Sequence, residues 1–260
     1  MAKPPLTDDD LTAWIIEASG DLAEVAAIAG SRASVPACPG WTMRQLVAHV
    51  ISGLSGWYTY NITHGAERLD YAASWNSQPE LPSGNAERLV RLFEAADEFA
   101  GLIASTDLDA RCQVFQSWRT ARAWLQRAAT ETAIHLRDAQ QVLGEVEEWA
   151  PDRAAASIDE TLHIMWHGAL LLRGDLDAGR VPDEAITITA TDLGMIWRVA
   201  KAPDDFTVER LQPETTASSL SVTADAHDLI SWLWGRMPTS ELALTGDVDH
   251  IHAWNLSANI

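Results

Sequence analysis

The chain is poor in cysteine and in lysine. Of its 260 residues only two are Cys, Cys38 and Cys112, and only Lys3 and Lys201 are Lys. Two cysteines exclude a disulfide framework and an all-cysteine zinc site, and a reducing cytoplasm is the expected location. Basic residues are also scarce: 18 Lys and Arg face 37 Asp and Glu, for a formal charge of −19. Nucleic acid is excluded as a partner, because phosphate binding needs clustered cations, and so is an anionic membrane surface. A long apolar run is lacking at the start, where MAKPPLTDDDL has no signal-peptide core. The window Gln45–Ala66 is free of Asp, Glu, Lys and Arg but carries His49, Ser52, Gly53, Ser55, Gly56, Asn61 and His64, which is core-helix and not lipid-facing chemistry.

What the chain does have is a globular balance, 47% hydrophobic and 21% charged, with eight His and twelve Trp. Apolar spacing predicts five helices, at Thr7–Ile28, Trp41–Asn61 with Thr42 as a possible N-cap, Asn85–Ile103, Trp118–Leu143, and Ala154–Leu172 ending near Gly174. A long loop at His64–Gly84 carries Trp75. The pattern then changes to β-branched and alternating segments at 186–192, 196–200, 206–211, 218–225 and 241–247, with helices at 226–236 and Val248–Ser257. The break falls near Arg173–Asp183. The expected organisation is therefore α plus α+β: an antiparallel helical bundle over 1–178 followed by a small mixed α/β domain over 179–260.

Titratable residues fall on the wrong side of two of these helices. A helix advances about 100° per residue, which places His135 within the apolar stripe Trp124, Leu125, Ala128, Leu136, Ala139 and Val142. Glu131 lies one turn earlier and Asp138 on the same edge, while Arg137 and Gln141 point away. Burying a carboxylate is costly without a partner or a metal, and an i, i+4 pair suits two ligands on one ion. A plain Glu–His hydrogen bond is the competing explanation. In the second helix His49 borders the stripe Leu46, Val47, Val50, Ile51, Leu54, Trp57 and Tyr58, one turn from Gly53, which removes bulk where another group approaches. Two histidines and a carboxylate with an open position suit zinc and equally non-haem iron.

The other histidines are less telling. His163 and His167 fall off their helix's apolar stripe, His250 and His252 lie on different faces, and His64 and His227 are isolated. Cys38, between two prolines, has no His base adjacent in sequence and is expected to be structural or incidental.

VPACPGWTMRQLVAHV (35–50), RAATETAIHLRDA (127–139) and SIDETL (157–162) together resemble the mycothiol-dependent maleylpyruvate isomerase family of DinB-like metal-binding helical bundles. The stretch SSLSVTADAHDLISWLWGR…LALTGD resembles that family's C-terminal, sterol-carrier-protein-2-like domain. The resemblance implies a four-helix bundle and a metal, usually zinc, held by His49, Glu131 and His135. It implies Asp138 as an orienter of a ligand histidine and Arg236 as the active-site arginine of the second domain. Mycothiol, a low-molecular-weight thiol, is the implied cosubstrate: a metal-bound thiolate attacks an electrophilic small molecule, in an isomerase or an S-transferase, as a monomer or homodimer. Trp57 and Trp232, among the tryptophans of the two domains, are candidate substrate-binding residues for a bulky electrophile. Two alternatives stand beside this: an apolar-ligand carrier with a structural metal, and a metal-dependent hydrolase using zinc-bound water.

Overall fold

A computed structural model describes residues 5–115, 117–168, 181–202, 205–212 and 218–255. It is a mixed helix-and-sheet protein of two compact units, one over Pro5–Glu148 and the other beginning at Trp149. The sequence reading divides the chain at 178/179; compactness divides it between Glu148 and Trp149, so the helix at Pro151–Glu160 goes with the sheet. The expected end of that helix at Leu172–Gly174 and most of the expected break at Arg173–Asp183 lie outside the described residues.

The first unit starts with α1 (Asp8–Ala29). Thr7 caps it: its hydroxyl accepts from the Asp10 amide at 3.1 Å, and the Asp10 carboxylate accepts from the Thr7 amide at 2.8 Å. Helix α2 (Met43–Ser52) follows, where the Gln45 carboxamide oxygen accepts from the Thr42 amide at 2.9 Å. The expected single helix to Asn61 is interrupted by a π turn at Gly53–Tyr58 and resumes as α3 (Thr59–His64). The expected loop holds a short helix, α4 (Tyr71–Asn76), before α5 (Asn85–Ser105).

The fourth expected helix begins four residues late. Trp118 lies instead in a hairpin, β1 (Arg111–Val114) with β2 (Ser117–Thr120), and α6 runs Arg122–Leu143. Period-2 alternation over so short a strand resembles the start of a helix, and the pairing Arg111↔Thr120 to Val114↔Ser117 decides it. At the turn Phe115 has φ +51°, a left-handed conformation that suits a tight hairpin. Its carbonyl accepts from Tyr71 Oη and from Gln113 Nε2, the latter at 3.1 Å, and its ring packs on Trp124. Helix α6 packs on α1 and α2, and α5 packs on α1 and α2. So α6 is the buried member: Trp124, Leu125, Ala128, Ala129, Ala133 and Ala139 have no exposed surface. Its alanines permit close helix approach, and burial at this density contributes about 25 cal/mol per Å² of apolar surface. Arg137, expected to point away, is itself only 5% exposed.

The second unit contains α7 (Pro151–Glu160), continued by a π turn at Thr161–Met165, and a five-stranded sheet. The strands are β3 (Ile186–Ala190), β4 (Met195–Ala202), β5 (Asp205–Leu211), β6 (Leu220–Ala224) and β7 (Ala243–Thr245), in the order β5-β4-β3-β6-β7. Among the described strands only β3 and β6 pair in parallel. Helices α8 (Ala226–Leu233) and α9 (Val248–Asn255) pack against β6, and α8 also against α7. Residues 256–257 of the expected last helix lie outside the described residues. Three buried indoles find partners here: Trp197 donates to Asp159 at 2.7 Å, Trp234 to Thr161 at 3.0 Å and Trp254 to the Glu184 carbonyl at 3.1 Å.

Candidate metal centre

Helices α2 and α6 bring His49, Glu131 and His135 together in the first unit. One nitrogen from each imidazole and one carboxylate oxygen all lie within 4.8 Å of one another. Nε2 of His49 is 2.8 Å from Oε1 of Glu131, and Nε2 of His135 is 3.7 Å from the same oxygen. Zinc–nitrogen and zinc–oxygen bonds of about 2.0–2.2 Å put neighbouring donors a little over 3 Å apart, and the two observed separations bracket that value. The donor set thus fits a divalent ion.

The surroundings hold each donor in place. Nδ1 of His135 is 3.0 Å from Oδ2 of Asp138, which leaves Nε2 as the nitrogen facing Glu131. Oε2 of Glu131 accepts from Arg127 Nη2 at 2.7 Å and from the Tyr58 hydroxyl. Trp41 lies against both histidines, with ring centroids 5.0 Å from His49 and 6.3 Å from His135. The two imidazoles meet edge to face at 4.8 Å.

Electrostatics follows from these contacts. Burial opposes charge on Glu131, but Arg127, His135 and His49 outweigh it and hold the carboxyl well below the usual carboxylate range. Burial likewise opposes charge on His135, and here Asp138, Cys38 and Glu131 prevail, holding its pKa well above that of an ordinary histidine.

Three neighbours join the site that their sequence positions did not assign to it: Arg127, Tyr58 and Cys38. Arg127 stands one turn before Glu131, and the i, i+4 spacing that drew attention to His135 applies to it equally. Tyr58 there belongs to the apolar stripe, and nothing in a uniform helix places it at Glu131. Cys38 donates to Asp138 Oδ2 at 3.3 Å, and Cys38, His135 and Asp138 form a second converging donor group. A contact spanning 100 residues leaves no spacing signal. The Gly53 expectation also gains content: a Cβ there would come within 3.2 Å of the Tyr58 ring.

The remaining expected residues are each described within their own unit. Trp57, on the π turn, packs against Tyr71, Trp75 and Trp124 at 5.9, 6.2 and 6.1 Å. Trp75 is 64% exposed, whereas Trp118 carries the Arg111 guanidinium 3.6 Å over its ring. In the second unit Trp232 is fully buried, its indole donating to Thr239 at 3.1 Å, so its side chain fills that unit's core. Arg236 donates to the Trp234 carbonyl at 2.7 Å. His167 is buried beside Phe206, and His250 pairs with Glu184. Among the described residues no helix is long and apolar enough to cross a membrane.

Residues 12–140 match the family described as the mycothiol maleylpyruvate isomerase N-terminal domain. Two solved structures share the fold. Crystal structures of the mycothiol-dependent maleylpyruvate isomerase and of a histidine-to-alanine mutant of it are 15% and 14% identical to this chain. Each superposes with a TM-score of 0.56 over 94% of this chain and 95% of the other. No curated protein matches the chain in sequence.

Proposed function

We propose, for a chain that belongs through residues 12–140 to the mycothiol maleylpyruvate isomerase family, a thiol-dependent enzyme whose His49, Glu131 and His135 hold a divalent metal, zinc being the expected ion. The observation that carries the reading is the convergence of three donor atoms within 4.8 Å, from two helices, inside the segment that matches the family. The solved neighbours are named as a mycothiol-dependent isomerase, and mycothiol is accordingly the proposed cosubstrate.

When bound, the ion supplies a positive centre that lowers the pKa of a thiol placed beside it. The residues of the chain do the rest. Asp138 holds Nδ1 of His135 and so turns Nε2, the nitrogen that would bind the ion, toward Glu131. Arg127 and Tyr58 occupy the outer oxygen of Glu131. Trp41, packed on both imidazoles, limits their rotation and covers that side of the site. Two reaction classes use such a thiol. Adding to a cis double bond, allowing rotation and then leaving gives the trans isomer with no net consumption of thiol. Displacing a leaving group on an electrophile gives an S-transferase. Arg236 is proposed to hold a substrate carboxylate, which a guanidinium grips through two parallel hydrogen bonds, and Trp57 to face the electrophile.

The test is thermal unfolding of the metal-loaded protein with mycothiol or with glutathione added, followed by assay with maleylpyruvate. Binding to the folded state raises apparent stability by RT ln(1 + [L]/Kd). A shift with mycothiol alone supports the reading. Equal shifts with both thiols, or none with either, contradict the choice of thiol, and turnover of an activated ester without thiol would favour a hydrolase.

A further inference from the structure

The two oxygens of Glu131 are divided between two tasks. Oε1 faces the imidazoles, 2.8 Å from His49 and 3.7 Å from His135. Oε2 is turned from them and accepts from Arg127 Nη2 at 2.7 Å and from the Tyr58 hydroxyl. Arg127 arrives by ordinary helix geometry, one turn before Glu131 on α6.

Tyr58 does not. It lies nine residues after His49, and at about 100° per residue an unbroken α-helix would set the two on opposite sides. Both nevertheless touch Glu131. Between them lies the π turn Gly53–Tyr58, whose wider winding carries the tyrosine round toward the face of His49. Gly53 supplies the room, since a Cβ there would press on the Tyr58 ring at 3.2 Å. The Tyr58 ring is 3% exposed and packs on Phe99 and Trp124, which fix its direction.

We propose that Tyr58 and Arg127 are positioning residues that confine Glu131 to binding metal through Oε1 alone, and that the π turn exists to deliver Tyr58 to this task. An unrestrained carboxylate can close on an ion with both oxygens and fill two positions. Two donors on Oε2, one of them charged, oppose that rotation. A position is thereby left for an incoming small molecule. This inference rests on the metal reading of the preceding subsection.

The test compares wild type with Tyr58→Phe, Arg127→Met, Arg127→Lys and Gly53→Ala. Zinc affinity is read by competition with a chelator, and coordination by the visible absorption of the cobalt(II)-loaded protein. Partners of this kind are worth roughly 10–100-fold in metal affinity. Tyr58→Phe, which keeps the ring, and Arg127→Met are each expected to lose affinity in that range. Their cobalt absorption should weaken, as expected when a second carboxylate oxygen joins the ion. Arg127→Lys should recover part of the loss, and Gly53→Ala, which crowds the ring without removing a donor, should show a smaller one. Wild-type affinity and an unchanged cobalt spectrum in both Tyr58→Phe and Arg127→Met would overturn the proposal while leaving the metal site intact. A wild-type protein that takes up neither zinc nor cobalt would overturn the metal reading itself, and this inference with it.

Discussion

Nδ1 of His135 lies 3.0 Å from Oδ2 of Asp138, and Sγ of Cys38 reaches that same oxygen from 100 residues away, at 3.3 Å. Asp138 is 1% exposed, so this oxygen is desolvated and its hydrogen bonds are stronger than they would be in water. The aspartate fixes the imidazole by one nitrogen and leaves the other to face Glu131.

Replacing Asp138 by Ala is therefore expected to weaken zinc binding by roughly 10–100-fold. The measurement is chelator competition, with circular dichroism to establish that α6 persists. Unchanged affinity in a folded variant would remove Asp138 from the site.

Arg236 and the metal ligands should separate in kinetics. Arg236→Ala is expected to leave zinc content at the wild-type level. Loss of a charge-assisted contact to a substrate carboxylate costs about 1.5–3 kcal/mol, which is roughly 10–150-fold in kcat/KM for maleylpyruvate. Steady-state assays with elemental analysis of the same samples check this, and a variant with wild-type kcat/KM would exclude the role.

Cys112 gives a pH signature unconnected with the site. Its side chain is 2% exposed, and burial pushes the thiol up to about 11 from an ordinary 9.0. A thiol that the fold keeps protonated contributes stability in full below pH 9, and that contribution is lost as pH rises through 11. Urea unfolding between these limits should show falling stability, with a shallower slope in Cys112→Ala. In the native protein at pH 8, Cys112 should resist alkylation and react once urea is added.

Gly65 is expected to be intolerant for a steric reason. A Cβ at this position would overlap Cys112 Sγ and the Asn61 carbonyl oxygen, which lie in the packed junction of α3 and β1. Overpacking of this kind costs typically 1–3 kcal/mol, so Gly65→Ala should lower the midpoint of thermal unfolding by several degrees. An unchanged midpoint would show that the junction can shift.

Periodicity carried much of this molecule and missed the places where periodicity itself changes. The helical spacing of α1 was readable, as was the inward placement of His135 and Glu131, because each depends on a spacing within one helix. The change from helical to alternating patterns announced the strands of the second unit. Trp118 was misplaced because its few strand residues run directly into α6, and only pairing with Arg111–Val114 separates them. Tyr58 was hidden because a wheel assumes one winding throughout, whereas the π turn changes it at Gly53. Arg137 shows the converse limit: a wheel ranks the sides of a helix but cannot tell that α6 is enclosed on nearly all of them. The link from Cys38 to Asp138 is tertiary and left no local trace.

The central claim is that His49, Glu131 and His135 bind one divalent ion, and elemental analysis of the purified protein tests it most directly. About one equivalent of zinc per chain is expected in the wild type. It should fall to a small fraction in His49→Ala, Glu131→Ala and His135→Ala and stay at the wild-type level in His163→Ala and His167→Ala. A wild-type protein without stoichiometric metal after zinc loading, or equal losses in both sets of variants, would contradict the account.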